Sequence, residues 1–143
     1  MKIVICSSLD FTYEVKEISE KLKEKGHEVV IPKTSGDILN GEVGFEQIMK
    51  EKENGEICKR AIKLDVIRKY FEEIKKADAV LALNLDKKGI KNYIGANVFL
   101  EMGFAHVLGK KTFLFNDIPD MFHKDEIEIM QPIVINGDLD KIV

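Results

Sequence analysis

In "YIGANVFLEMGFAHVLGKKTFLFN" (residues 93–116) a loop runs into an apolar helix that begins near Asn97, and the chain then returns as the apolar strand "KTFLFN" (111–116). A helix leading straight into a near-continuous apolar run is one half of a strand–helix–strand crossover, the unit from which parallel sheets are built. One residue is out of place in this pattern. Glu101 shares its helical face with Asn97, Val98, Phe104 and Ala105, with Leu108 a turn further on, so a carboxylate sits among residues that favour burial. Burial without a partner costs several kcal/mol or drives the proton back on. Glu101 is therefore either compensated, with Arg60 or Arg68 as candidate partners, or held reactive.

The same strand signature recurs along the chain. "KIVIC" (2–6), "EVVIP" (28–32), "DAVLALN" (78–84) and "PIVIN" (132–136) join 111–116 as short runs rich in Val, Ile, Leu and Phe, the pattern of strands buried on both faces. Helical patterns separate them. Val15, Ile18 and Leu22 line the first, with Thr12 or Asp10 able to cap its start and Gly26 its end. The longest spans roughly 55–76, with Ile57, Ala61, Leu64, Ile67, Phe71 and Ile74 on one stripe. Alternating strands and helices predict a three-layer α/β sandwich, flavodoxin-like or Rossmann-like, with a five-stranded parallel sheet. The 143 residues suit a single domain over 1–143, and residues 33–55 read as a loop with one helical turn.

Composition narrows the partners. Lys+Arg 22 against Asp+Glu 25, a net charge of −3 with the signs interspersed, gives no electrostatic footprint for nucleic acid. No apolar run approaches the roughly 18 residues of a membrane span, and the short apolar start is no secretory signal, so a soluble cytoplasmic protein is expected. Cys6 and Cys58 lie far apart without a CxxC pairing. They imply neither a zinc site nor a disulfide framework. His27, His106 and His123 show no HxxxH or HExxH spacing and read as surface or capping groups, so no metal and no cofactor is expected. A small-molecule ligand fits better.

In open parallel sheets ligands collect beyond the carboxyl ends of the strands. That rule selects the loops after the first, third and fourth strands. Ser7 and Ser8 offer hydroxyls and free N–H groups suited to a phosphate or a sugar, or else only turn the chain. Neither GxGxxG nor GxxxxGK[ST] is present. After the third strand, Asn84, Asp86, Asn92, Tyr93, Gly95 and Asn97 supply polar groups and a flexible backbone on the side of Glu101, while Asp78 at the opposite end of the strand reads as structural. Cys6 reads as a small buried residue. Gly103, costing about 1 kcal/mol relative to Ala within a helix, implies close approach of another group.

"IKKADAVLAL", a loop, and then "LEMGFAHVLGKK" with Glu101, Gly103 and Ala105 in an E-x-G-x-A arrangement resemble the nucleoside 2-deoxyribosyltransferase family and its nucleotide N-hydrolase relatives, over about residues 70–116. The resemblance implies a flavodoxin-like sandwich, a homo-oligomer in which a neighbouring chain completes the pocket, and a glutamate nucleophile at Glu101 that attacks the anomeric carbon of a (deoxy)nucleoside or nucleoside 5′-monophosphate. Ser7, Ser8, Asp86, Tyr93, Gly95, Asn97 and Gly103 would then surround the substrate. Three family positions differ. Tyr70 stands where an aspartate is usual, Gly95 where a polar or acidic residue is usual, and Asn97 where a glycine is usual. A non-catalytic nucleotide sensor on the same fold is the alternative.

Overall fold

A computed structural model describes residues 1–143. Five strands form one all-parallel sheet in the order β2-β1-β3-β4-β5. They are β1 (Lys2–Cys6), β2 (Glu28–Val30), β3 (Ala79–Ala82), β4 (Lys111–Leu114) and β5 (Ile133–Val134). Four of the five are shorter than their apolar runs, because hydrophobic sequence continues past the last ladder hydrogen bond. Side chains alternate across β1: Ile3 and Ile5 face one core with Val15 and Leu22, whereas Val4 and Cys6 face the other with Val98 and Met102. Both faces are thus covered, as the continuous apolar runs require.

The helices are α1 (Thr12–Glu24), α2 (Lys33–Leu39), α3 (Phe45–Asn54), α4 (Glu56–Leu64), α5 (Val66–Lys76), α6 (Ala96–Val107) and α7 (Lys124–Ile129). None is long and apolar enough to cross a membrane. Helix α1 ends as expected: Gly26 takes φ 89°, with His27 N–H bonded to the Leu22 carbonyl and Gly26 N–H to that of Lys23, a Schellman stop. Its start differs. Neither Thr12 nor Asp10 caps it; a 3-10 turn (Leu9–Phe11) precedes it, capped by the Ser8 hydroxyl, which accepts from Asp10 N–H at 3.4 Å.

Two expectations are corrected. Residues 33–55 are not a loop with one turn but hold α2 and α3. Helix α2 escapes apolar periodicity because it buries polar groups, Thr34, Ser35 and Asp37, with the Ser35 hydroxyl bonded to that of Thr12 at 2.9 Å. The single helix over 55–76 is two, α4 and α5, broken at Asp65 in the left-handed region (φ 51°, ψ 46°). The stripe of apolar residues runs straight through this break, and aspartate is one of the few residues that tolerate the conformation.

Asn84 does not face the ligand edge. It is fully buried, donating to the carbonyls of Asn116 and Asp117 (3.2 and 3.0 Å) and accepting from Asn116 N–H at 2.8 Å. It clamps the ends of β3 and β4. Asn84→Ala would strand these buried groups and is expected to cost about 2 kcal/mol, read as a fall in the denaturant midpoint at unchanged slope. His123 is likewise no surface group: it is buried, stacked on Phe122 and packed on Phe99, with Nε2 bonded to the Ile94 carbonyl at 2.8 Å. Asp78 is structural as read, accepting from Lys2 N–H at 2.7 Å.

Candidate active site

Strand order reverses between β1 and β3, and a cavity of about 880 Å³ opens beside their carboxyl ends. Its walls come from the β1 turn (Ser7, Ser8), α2 (Lys33, Thr34), α3 (Lys52), α4 and α5 (Arg60, Tyr70) and the start of α6 (Tyr93, Gly95, Asn97, Glu101). Glu101 is placed by its own helix. Val98, Met102 and Ala105 bury their side chains against the sheet, which fixes α6 in rotation and turns the intervening carboxyl toward the end of β1.

Glu101 forms no salt bridge. Arg60 is engaged by Glu51, through Nε–Oε1 at 2.7 Å and a second contact at 2.8 Å, and Arg68 is paired with Asp65. The bidentate Arg60 contact, with help from Gln47, holds the Glu51 carboxyl down at about 2. Glu101 is the reverse case. Burial of its carboxyl pushes it up to about 8, opposed only by the hydrogen bond of the Cys6 thiol. Cys6 is fully buried, and burial first, then the charge of Glu101 and the shared hydrogen bond, drive its thiol well up. A thiol in that state is an inert donor, not a nucleophile. The Tyr70 phenol, which donates to the Ile5 carbonyl, is also driven well up, by burial and then by its neighbours Cys6 and Glu101. The carboxyl therefore lies beside the neutral Cys6 thiol and Tyr70 phenol, without a cation in contact, and faces a cavity.

Of the residues expected from sequence, the fold brings Ser7, Ser8, Tyr93, Gly95 and Asn97 to this cavity with Glu101. Gly95 lies at the N-cap of α6 without a side-chain cap, and a Cβ there would stand 3.2 Å from the Tyr93 ring. Asp86 and Gly103 are not in its walls. Asp86 is exposed and accepts from Asn92 N–H at 2.9 Å, closing the loop after β3. Gly103 opens on a separate apolar groove of about 800 Å³ along the other side of α6, and a Cβ there would meet nothing within 4 Å. No group of the same chain approaches that glycine closely.

The sequence does not single out Lys52 and Lys87 in these walls, and it offers Asp10 and Arg60 only as a helix cap and a partner of Glu101. Lys87 opens a tight hairpin in which Lys88 and Gly89 both take positive φ and Lys87 and Ile90 exchange N–H···O bonds of 3.0 and 2.9 Å. The Lys-Gly pair in a polar loop was the available signal. Lys52 carried none, since its helix was read as a loop.

No family model matches the chain, and no curated protein matches it. A similar solved structure is the CMP N-glycosidase BcmB of Clostridium botulinum, with a TM-score of 0.52 and 15% sequence identity over 99% of this chain and 98% of that one. At that identity the likeness is one of fold: this chain, from end to end, takes the three-layer α/β arrangement of that enzyme.

Proposed function

We propose that the protein cleaves or transfers the N-glycosidic bond of a (deoxy)nucleoside or nucleoside 5′-monophosphate, with Glu101 as nucleophile. The observation that carries this reading is a half-buried carboxyl with no cation partner, lining a cavity at the switch point of the sheet. The E-x-G-x-A resemblance and the fold shared with a CMP N-glycosidase support it. A structural carboxylate is normally buried with its counter-ion, as Glu51 is with Arg60.

In the first step an Oε of ionised Glu101 bonds to C1′ as the C1′–N bond breaks, and the bond pair leaves with the base nitrogen, which takes up a proton. In the second, water or another base attacks C1′ from the vacated face and gives up a proton to solvent, from which the departing base drew its own, and the glycosyl ester breaks with its electron pair returning to Glu101. A desolvated carboxylate is the stronger nucleophile. The positive charge developing on the sugar stabilises the ionised form during attack.

A sensing role is favoured by one observation: a carboxyl held at about 8 is mostly protonated at neutral pH and can donate to a sugar hydroxyl. Chromatography of purified protein with ribo- and deoxyribonucleosides and their 5′-monophosphates separates the two. Release or exchange of free base is expected; ligand-induced thermal stabilisation without any release would establish the sensor instead. The self-association implied by the family resemblance would cover the apolar groove on α6, where Val107 and Phe122 are almost fully exposed.

A further inference from the structure

We propose that Lys52 and Lys87, held side by side by Asp10, form the seat of the 5′-phosphate, so that the cavity selects nucleoside monophosphates over nucleosides. The inference rests on the nucleotide-directed reading of the cavity and names its substrate class.

Three separate elements build the seat. Asp10 comes from the turn after β1, Lys52 from α3 and Lys87 from the hairpin after β3. One carboxylate serves both lysines: Asp10 Oδ1 bonds Lys52 and Oδ2 lies 3.2 Å from Lys87 Nζ, which also donates to the Ser8 hydroxyl at 2.9 Å. Both lysines and Ser8 line the cavity, while Asp10 does not and stands behind them. Two ammonium groups on one carboxylate leave one positive charge unmatched.

That surplus is local. Arg60, the other half-buried cation of these walls, is matched one to one by Glu51, and Lys33 by Asp37 at 2.7 Å. Glu101 adds little negative charge, since its carboxyl is held at about 8. The lysines are not ordinary surface groups either, with side chains only 13% exposed for Lys87 and 30% for Lys52. Lys87 is sandwiched further, its ammonium 5.4 Å from the Tyr93 ring centre. Burial and then the neighbouring Lys52 push the Lys87 ammonium down, the mark of two like charges held close in a poorly solvated place. A dianion on the cavity side would relieve that repulsion, and the Ser7 and Ser8 hydroxyls stand beside it. The cavity, about 880 Å³, has room for base, sugar and phosphate together. Asp10 is then a positioning residue: it touches no substrate but sets the spacing of the two ammonium groups.

Calorimetric titration of the wild type, Lys52→Met, Lys87→Met and Lys87→Arg tests the seat. The probes are the 5′-monophosphates of cytidine, adenosine, guanosine and uridine, the matching nucleosides, and inorganic phosphate as competitor. The wild type is expected to bind its preferred monophosphate at least about tenfold more tightly than the nucleoside, with phosphate competing. Each Lys→Met variant should lose about 10- to 100-fold on the monophosphate and less than about threefold on the nucleoside, with Lys87→Arg retaining most affinity. If a Met variant does not fold, the other and Lys87→Arg with its salt dependence still read the seat. Equal wild-type affinity for monophosphate and nucleoside, parallel losses on both, or no binding of either overturns the proposal. Affinity and base release are read in separate assays, so absent base release with intact monophosphate selection removes the enzymatic reading alone. Base release with no monophosphate selection removes the seat alone.

Discussion

Glu101→Gln is expected to lower base release by at least about 10³-fold while leaving ligand affinity within a few-fold of wild type. The amide is nearly the same size but has no electron pair able to form the glycosyl ester, and removal of a nucleophile typically costs that much or more. The pH dependence carries a second signature. With the carboxyl at about 8 in the free protein, the reactive fraction grows about tenfold per pH unit below that value, so kcat/KM should climb from pH 6 to about 8 and level off above it. The residual rate of Glu101→Gln should lack that limb. A wild-type profile falling through the same interval would assign the protonated carboxyl as an acid and remove the nucleophile from the account.

The same substitution is expected to stabilise the fold. A carboxyl raised from its ordinary 4.5 to about 8 keeps its proton in the folded chain over an interval in which the unfolded chain gives it up. The unfolded state therefore binds fewer protons there, and stability falls as pH climbs from about 4.5 to about 8, with nothing lost below and no further loss above. At about 1.4 kcal/mol per pH unit the ceiling of this penalty is about 5 kcal/mol. Gln cannot ionise but must bury an amide, so a net gain of about 2–4 kcal/mol above pH 8 is expected, shrinking toward pH 4.5. Thermal melts of both proteins from pH 4.5 to 9 read this as a widening gap in Tm. Parallel curves would mean that the carboxyl is solvated or paired in solution.

Such a penalty is what a site, and not a scaffold, accepts. In the proposed role of Glu101, catalysis and stability would pull in opposite directions, whereas Glu51, with Arg60 in contact, carries no such conflict.

Much of the architecture was legible because both faces of the sheet are buried. Ile3 and Ile5 serve one core and Val4 and Cys6 the other, so the strands had to read as unbroken apolar runs, and Glu101 stood out against an apolar helix. The misses have equally physical causes. Helix α2 packs through hydroxyls and a carboxylate, which carry no hydrophobic period. The break at Asp65 interrupts the backbone without interrupting the stripe of side chains. Asn84 lies where a ligand residue would, yet its amide is consumed by Asn116 and Asp117, a choice that only the position of the β4 loop makes. The lysine pair is assembled by Asp10, 42 residues from Lys52 and on the turn after β1, the strand that neighbours the β3 strand leading to Lys87, so nothing in the local sequence announces it.

The stereochemistry of transfer to methanol tests the central claim most directly. With a β-configured substrate, two displacements through a glycosyl ester on Glu101 return the β-methyl glycoside, which unlike the free sugar does not anomerise before its anomeric proton is read by NMR. Retention is the predicted result. Formation of the α-methyl glycoside would mean a single displacement, with Glu101 activating the acceptor and never bonding to the sugar.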